Sequence, residues 1–344
     1  MTPLPVFDGH NDLLLHLWRS GDHDGTAFFN GREGHIDLPR ARQGGLAGGF
    51  FATWVPNPET MPDPQGADVP VIPPLAHDRA CRIATQMMGI LTRMARARPD
   101  AIRICLTAAE IETARNAGAI AAIMHLEGCE AIGEGLDELH LFHAAGLRSL
   151  GPVWSRDTIF GHGVPFRFGH SPDTGPGLTD AGKRLVRECD RLGILIDLSH
   201  LNEAGFWDVA RISQRPLVAT HSNVHAICPT TRNLTDRQLD AIRDSGGVVG
   251  LNFAVSFLRE DGRKDAATGL DIMVRHLAHL VDRLGEDGVA LGSDFDGAEV
   301  PQDIGSAAGL PVLFEAMRKA GFDEPLIRRI AWDNWLGLIG RSIG

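Results

Sequence analysis

The stretch LTDAGKRLVRECDRLGILIDLSH, residues 178–200, joins an amphipathic helix pattern to a short apolar strand pattern. In its first part, 178–192, the spacing of the apolar residues places them on one face of a helix and the charged residues on the other. Its second part, 193–200, is a nearly continuous apolar run that ends in a histidine, His200. Strands that are apolar on both faces are typical of a parallel sheet covered by helices on both sides. The stretch therefore predicts one helix–strand unit of an α/β protein.

The strand pattern of 193–200 recurs along the chain, and helical patterns separate several of the runs. One of these helices starts near Thr235 and carries Gln238 three positions later, which predicts a capping box. Eight runs favour a single (β/α)8 barrel of the TIM type, covering residues 1–344, over a doubly wound sheet. No linker, internal repeat or low-complexity segment divides the chain. The expected strands are 5–10, 47–55, 119–128, 147–154, 193–200, 216–222, 247–253 and 288–297.

Two long stretches lack any helix or strand pattern. Residues 55–77 contain seven prolines, and residues 155–178 are rich in glycine, proline and aromatic residues. Each follows an expected strand, so each would begin at the carboxyl-terminal face of the barrel, where barrel enzymes carry their active sites. We expect them to be long binding loops or lids at that face, although a surface insertion without function is the alternative.

Composition restricts the class of partner. The net charge of −11 argues against nucleic acid and anionic membrane surfaces. No run of 18 apolar residues and no signal-peptide pattern is present, which predicts a protein without a membrane span. The five cysteines show no C-x-x-C spacing, which predicts reduced thiols and a cytoplasmic location. The oligomeric state stays open between a monomer and a homodimer.

Five of the eight expected strands end in potential metal ligands. The first stretch contains His10 and Asp12, which would project from one strand end either as a buried hydrogen-bonded pair or as two ligands of one metal. If the barrel closes, all five strand ends meet in one cavity. Imidazole and carboxylate without a nearby thiol suit Zn²⁺, Mn²⁺ or Fe²⁺. The strand-end residues are His10, Asp12, Glu127, His200, His221, Asp294 and Asp296.

This donor set is large enough for two metal ions. Three histidines, one aspartate and one glutamate can hold two ions with Glu127 as the bridge, and a shared hydroxide would then be the nucleophile. His125, two residues before Glu127, would face the same side and could support the ligands. The remaining histidines lack such a context and are expected on the surface or on helices; among them are His16, His23, His35, His77, His140, His143, His225, His276 and His279.

Several segments of the sequence, taken in order, resemble a known family. The segments FDGHND, HLEG, GILIDLSH, PLVATHSNVHAICPTTRNLTDRQLDAI, GGVVGLNF and LGSDFDG, in this order, are similar to the membrane (renal) dipeptidases, a family of dinuclear zinc peptidases. The similarity runs from about residue 6 to DNWLGLI near the end of the chain. The resemblance implies a barrel of the metal-dependent hydrolase kind with two Zn²⁺ ions per chain. Dipeptides would be the substrates.

The resemblance also implies individual roles. His10 and Asp12 match the ligands of one zinc, Glu127 matches the bridging carboxylate, and His200 and His221 match the ligands of the second zinc. Arg232 matches the arginine that holds the terminal carboxylate of the substrate, a task that suits the guanidinium group. Asp294 matches the acid/base that transfers the proton, with Asp296 as the second choice.

The chain departs from the family pattern at one position. Relatives carry a histidine at the end of the fourth expected strand, where it helps to polarise the scissile carbonyl, and Trp154 occupies this position here. An indole donates one hydrogen bond but carries neither a charge nor a transferable proton. We expect Trp154 to contact the substrate. His162, between two glycines of the following loop, is the first candidate to replace the histidine, and His170 is the second. The alternative is that no histidine replaces it and zinc alone polarises the carbonyl.

The leading hypothesis is therefore a zinc dipeptidase that acts on L-Xaa-L-Xaa and L-Xaa-D-Xaa peptides by attack of the metal-bridging hydroxide. An alternative keeps the metal site but acts on N-acyl amino acids or related amides. A third hypothesis, suggested by Trp154, is a metal-binding barrel that senses or stores a ligand without turnover. Catalysis in all the enzyme hypotheses depends on Asp294 and Glu127.

Overall fold

In the described part of the chain, nine strands form the central sheet, and each pair of neighbouring strands is parallel. The computed structural model describes residues 3–57 and 72–344. All eight expected strands form, and one short strand, Ile102–Ile104, was not expected because three residues give no recognisable pattern. The strands are β1 Val6–Asn11, β2 Leu46–Trp54, β3 Ile102–Ile104, β4 Ile120–Glu127, β5 Leu147–Gly151, β6 Leu195–Ile196, β7 Val218–Ala219, β8 Val248–Leu251 and β9 Val289–Leu291.

The sheet curls into the expected barrel. The strand order is β6-β5-β4-β2-β1-β9-β8-β7, and β3 pairs with β4 outside this path. A parallel bridge between Asp197, just after β6, and Val218 in β7 joins the two ends of the order. The eight strands of the path therefore enclose one interior, as the sequence predicted.

Helices cover the outside of this barrel. The capping box predicted at Thr235 forms at the start of one of them, where Gln238 Oε1 accepts a hydrogen bond from Thr235 N at 2.9 Å. Within the described residues, no helix is long and apolar enough to cross a membrane. The helices are α1 Leu13–Ser20, α2 Thr26–Asn30, α3 Leu38–Gly44, α4 His77–Ala97, α5 Ala108–Asn116, α6 Asp137–Ala145, α7 Asp180–Leu192, α8 Glu203–Ile212, α9 Asp236–Asp244, α10 Val255–Leu258, α11 Leu270–Leu284, α12 Leu310–Lys319, α13 Glu324–Arg328 and α14 Asn334–Ser342, with a 3₁₀ turn at Ala307–Gly309 and a π-helical turn at Arg329–Asp333.

The amino-terminal end of the barrel is filled by the last part of the chain. Trp332 and Trp335 are fully buried and belong to the same apolar cluster as Phe7 and Phe50 from β1 and β2. The indole of Trp335 donates a hydrogen bond to the carbonyl of Leu291 in β9 at 2.9 Å. This end of the barrel is therefore filled by apolar side chains, and polar side chains lie at the opposite end.

One expected loop lies over that opposite end. The irregular stretch after β5 forms antiparallel bridges with the segments that follow β6 and β7, Gly163 with Leu201 and Phe168 with Thr230. Val164 N donates a hydrogen bond to the carbonyl of His200 at 2.9 Å. Of the other expected loop, 55–77, residues 58–71 lie outside the described residues.

Candidate metal centre

The carboxyl ends of the barrel strands bring all five expected metal ligands together. Each of these side chains is buried. They come from four different strands, because His10 lies in β1, Glu127 ends β4, and His200 and His221 follow β6 and β7. Their donor atoms fall into overlapping groups whose members lie within 4.8 Å of one another. These expected ligands are His10, Asp12, Glu127, His200 and His221.

The carboxylate of Glu127 lies between two ligand sets. Its Oε2 lies 3.5 Å from His10 Nε2, and the same nitrogen lies 3.5 Å from Asp12 Oδ2. Its Oε1 lies 3.0 Å from His200 Nε2 and 3.5 Å from His221 Nε2. Each carboxylate oxygen therefore faces its own set of ligands, which is the arrangement that a bridging carboxylate requires.

Neighbouring side chains orient the histidines of the second set. Thr220 Oγ1 lies 2.5 Å from Asp197 Oδ2, to which it donates, so it accepts from His221 Nδ1 at 2.8 Å. Ser155 Oγ lies 2.9 Å from His200 Nδ1. In both rings Nε2 is the nitrogen that faces Glu127. Burial, reinforced by Arg232, lowers the pKa of both imidazoles well below the ordinary value, so they are neutral and offer a lone pair.

The cluster fits divalent metal ions. Both ring nitrogens of His10 are buried and have no hydrogen-bond partner among the described residues, whereas buried polar atoms nearly always have one. Burial raises the pKa of Glu127, the nearby carboxylates of Asp12 and Asp294 add to the rise, and His10 opposes it, so that the pKa is about 7. A cation among these carboxylates would offset the cost of burying them. Nitrogen and carboxylate donors together suit zinc and similar transition metals.

Asp294 lies at the edge of the ligand cluster. One of its carboxylate oxygens lies within 4.8 Å of a ring nitrogen of His10 and of a ring nitrogen of His221. The carboxylate Oδ2 accepts a hydrogen bond from Asn252 Nδ2 at 2.9 Å. Burial raises the pKa of Asp294 above its ordinary value, with Asp12 adding to the rise and His10 opposing it. A carboxyl group at the edge of the candidate metal site is well placed for proton transfer.

Asp296 does not share this environment. Its Oδ2 accepts from Arg32 Nη1 at 2.6 Å, and its Oδ1 accepts from the backbone N–H of His35 at 2.6 Å. His16 Nε2 lies 2.9 Å from the Asp296 carbonyl. These contacts could not be predicted from the sequence, because His16 and His35 lie in segments without a recognisable motif.

Arg232 is buried against the second ligand set. Its Nη2 lies 3.1 Å from His200 Nε2 and donates to the carbonyl of His221 at 3.0 Å. Its Nη1 donates to the carbonyl of Ser199 and, at 3.0 Å, to Ser222 Oγ. The remaining donor, Nε, is buried without a partner among the described residues. Burial lowers the pKa of Arg232 to about 10, so the guanidinium stays charged at neutral pH.

Trp154 belongs to an aromatic wall formed by Trp54, Trp154, Phe166 and Phe257. The ring of Trp154 lies 5.0 Å from Trp54, 5.5 Å from Phe166 and 5.8 Å from His200 between centroids. Phe166 stacks on Phe257 at 5.9 Å, and the guanidinium of Arg232 lies 5.7 Å from the Phe257 ring. The wall thus extends from the ligand histidines to Arg232, and Trp154 occupies a packing position within it.

His162 and His170 lie in the loop that covers the barrel end. His162 Nδ1 lies 2.9 Å from Asp157 Oδ2, and neither histidine belongs to a group of metal-ligand donors among the described residues. His170 lines a cavity of about 310 Å³ together with Ser155, Arg156 and Thr231. The structure thus does not bring either histidine into the ligand cluster.

His125 lies below the cluster, as its spacing from Glu127 suggested. Its Nδ1 lies 2.9 Å from Ser149 Oγ, and its Nε2 lies 3.6 Å from Asp197 Oδ2. Burial lowers its pKa to about 3, so the ring is neutral. Asp197, Thr220 and Asn252 were not predicted as site residues, because their residue types are common at strand ends and carry no motif.

A parallel barrel whose strand ends hold a carboxylate between two histidine-containing ligand sets defines a barrel metallohydrolase. The family model for membrane dipeptidases, peptidase family M19, matches residues 1–341. The chain belongs to this family.

Solved structures agree with this membership. A metallopeptidase from Rhodobacter sphaeroides, solved with a phosphinate mimic of the dipeptide L-Ala-D-Ala, is 56% identical, with a TM-score of 0.95 over 99% of this chain and 100% of that one. A second metallopeptidase of family M19, described as dipeptidase AC, is 58% identical, with a TM-score of 0.95 over 99% of each chain. An uncharacterized Klebsiella pneumoniae protein from the pqqA 5′ region is 50% identical over 75% of this chain and 95% of its own length. The protein is a metallo-dipeptidase, as the sequence predicted.

Proposed function

We propose that this dipeptidase holds two zinc ions per chain and hydrolyses L-Xaa-L-Xaa and L-Xaa-D-Xaa dipeptides. The position of Glu127 carries the proposal, because its two oxygens face two separate ligand sets. His10 and Asp12 would hold one ion with Oε2, and His200 and His221 would hold the other with Oε1. The mimic of L-Ala-D-Ala held by the Rhodobacter sphaeroides relative supports the inclusion of D-residues at the second position.

When bound, the two ions would supply Lewis-acid activation of the attacking water and of the scissile carbonyl. The residues of the chain supply binding and proton transfer. Arg232 holds the carboxylate of the substrate's second residue through its guanidinium, which already lies beside His200. Asp294 takes the proton of the attacking water and passes it to the amine nitrogen as the C–N bond breaks. The aromatic wall provides the apolar surface next to Arg232.

A kinetic comparison of substrate classes tests this proposal. Enzyme reconstituted with zinc is assayed on a library of dipeptides with L- or D-residues at the second position, and on N-acyl amino acids with the same second residues. We expect kcat/KM to be highest for dipeptides. Preference for the N-acyl compounds would favour the amidohydrolase alternative, and the absence of turnover on every compound would favour a ligand-binding barrel.

Replacement of Arg232 by alanine should weaken binding and turnover of dipeptides with a free carboxylate. A charge-assisted bond to a charged group contributes roughly 1.5–3 kcal/mol, which corresponds to a loss of about 10- to 150-fold in kcat/KM. The same dipeptides amidated at the carboxyl terminus serve as the matched control. They should be poor substrates of the wild type and should lose little more in the variant. Equal use of amidated and free dipeptides by the wild type would contradict the assigned role.

Replacement of His162 by alanine tests whether this histidine supplies the missing contact to the substrate carbonyl. If it does, kcat/KM should fall by more than about threefold, which is roughly 0.7 kcal/mol of transition-state stabilisation, at unchanged metal content. His170→Ala is assayed in parallel as the test of the second candidate, because His170 lies in the same loop and lines the neighbouring cavity. If the kcat/KM of His162→Ala stays within about threefold of the wild type, His162 does not supply this contact. The aromatic wall with Trp154 would then be the neighbouring protein surface at this position.

The proposal also includes a cytoplasmic location and one catalytic domain over residues 1–344. All five cysteines are free thiols, as expected in a reducing compartment. The single sheet formed by strands from β1 to β9 supports one domain. Cell fractionation followed by detection of the protein would test the location.

A further inference from the structure

The turn that carries Asp294 has an unusual backbone. Asp294 and Asp296, both in the segment Ser293–Gly297, have positive φ angles of 58° and 68°. Residues other than glycine rarely adopt this left-handed backbone conformation unless the surrounding structure holds it. The segment is also tightly packed, since a Cβ atom on Gly297 would overlap Asp12 Oδ2 and lie within 2.5 Å of Asp294 Oδ1. The position of the Asp294 carboxylate is therefore tied to the path of this turn.

Asp296 fixes the turn through contacts with Arg32 and His35, which are not among the expected metal ligands. Its carboxylate is shared between the guanidinium of Arg32 and the backbone N–H of His35, both at 2.6 Å. Its own N–H donates to His35 Nδ1 at 2.9 Å. Asp296 is only 8% exposed, so its ion pair with Arg32 is shielded from water. Asp296 thus holds the segment by its side chain and its main chain together.

The segment that carries Arg32 and His35 is itself held in place. Arg32 Nη1 donates to the carbonyl of Ile36 at 2.9 Å, and Arg32 N donates to Asp37 Oδ2 at 3.2 Å. The ring of His35 packs against Phe295 at 5.5 Å, between the two aspartates of the turn. A fixed segment from the first part of the chain therefore supports a strained turn from its last part.

We propose that Asp296, with Arg32 and His35, is a positioning residue that acts through the turn on Asp294. The contacts hold Asp294 in its left-handed conformation with its carboxylate at the edge of the ligand cluster. Because both oxygens of Asp296 are engaged, this residue is not the acid/base. The inference rests on the proposed role of Asp294 in proton transfer.

The test compares Asp296→Asn and Asp296→Ala with the wild type in the zinc-loaded enzyme. Asparagine tolerates the left-handed conformation and can accept from His35 N, but it loses the ion pair with Arg32. We expect kcat to fall on the order of 10-fold for Asp296→Asn and further for Asp296→Ala, since small displacements of a catalytic group have effects of this size. KM should stay within about twofold, and zinc content should be unchanged.

Two further variants separate positioning from a merely structural effect. Asp240→Asn removes another Arg–Asp ion pair, with Arg283, on the outer helices, and should leave kcat unchanged even if the melting temperature falls. In an Asp294→Asn background, Asp296→Asn should lower kcat by less than about twofold, because the group it positions has already been removed. Arg32→Lys should retain more kcat than Arg32→Ala, since it keeps a cation opposite Asp296.

Three results would overturn the inference. A kcat of Asp296→Asn within about threefold of the wild type at full zinc content would show that the contacts are not needed. A loss of kcat that multiplies with that of Asp294→Asn would show that Asp296 acts independently. If Asp294→Asn itself keeps normal kcat, the proposed role of Asp294 fails and the positioning role fails with it. Failure of Asp296 alone would leave the proposed function intact.

Discussion

Asp294→Asn should lose about 10²-fold or more in kcat while keeping its zinc. The amide has nearly the same size as the carboxylate and tolerates the positive φ of this position, so the turn should keep its path. It cannot take a proton from water or return one to the leaving amine. The expected loss corresponds to roughly 2.7 kcal/mol of transition-state stabilisation. Steady-state kinetics on a good dipeptide, with zinc measured on the same preparation, gives the result.

Asp303→Asn is the matched control for this variant. Asp303 lies nine positions further along the chain, is exposed, and belongs to none of the metal-ligand groups among the described residues. Its replacement should change kcat by less than about twofold. Near-normal turnover by Asp294→Asn would move the proton transfer to another group, and the engagement of Asp296 by Arg32 and His35 makes that residue a poor substitute.

Glu127→Gln should lower both the metal content and the activity. The wild type should contain about two equivalents of zinc, since its ligands form two sets around Glu127. Glutamine retains one acceptor oxygen and places an amide nitrogen where the second oxygen was, so one ligand set loses its shared donor. We expect about one equivalent or less, and a fall in kcat/KM of more than about 10²-fold. Removal of the metal by a chelator should abolish turnover in the wild type.

Elemental analysis after dialysis against excess zinc measures the stoichiometry independently of activity. Glu130→Gln is the matched control, because Glu130 is also buried and lies three residues further on, but its Oε1 accepts from Arg156 Nε at 2.8 Å. The folded Glu130→Gln protein should keep about two equivalents. A wild-type stoichiometry that remains at one with zinc in excess would contradict the two-metal proposal.

Much of the fold could be predicted from local patterns. The eight runs of apolar residues lie at the eight strands of the barrel path, because a parallel strand covered on both faces must be apolar along its length. The expected runs at 193–200 and 216–222 are longer than β6 and β7. Asp197 explains part of this difference, since its carboxylate accepts from the backbone N–H of Ser199 and Thr220 and takes the place of ladder hydrogen bonds.

The side chains that meet at the carboxyl end of the barrel could also be predicted, because residue type at a strand end is a local property and closure of the barrel brings strand ends together. Their role as metal ligands stays a prediction. The resemblance to the dipeptidase family added roles to the same residues. It could not give a role to Trp154, where the chain departs from the family pattern. The structure places this ring in an aromatic wall whose members, among them Trp54 and Phe257, come from distant parts of the sequence.

The sequence by itself determined the barrel, the family of this protein and the five side chains that meet at the carboxyl end of the barrel. Only the tertiary structure decided which oxygen of Glu127 faces which histidines, and which side chains hold the ligands in place. Arg32 and Asp296 are 264 residues apart, and Ser155 and His200 are 45 residues apart. Such pairs leave no periodic pattern, because they depend on the paths of loops through space. The apolar runs and helical patterns that predict the barrel, in contrast, depend on residues that are neighbours in the sequence.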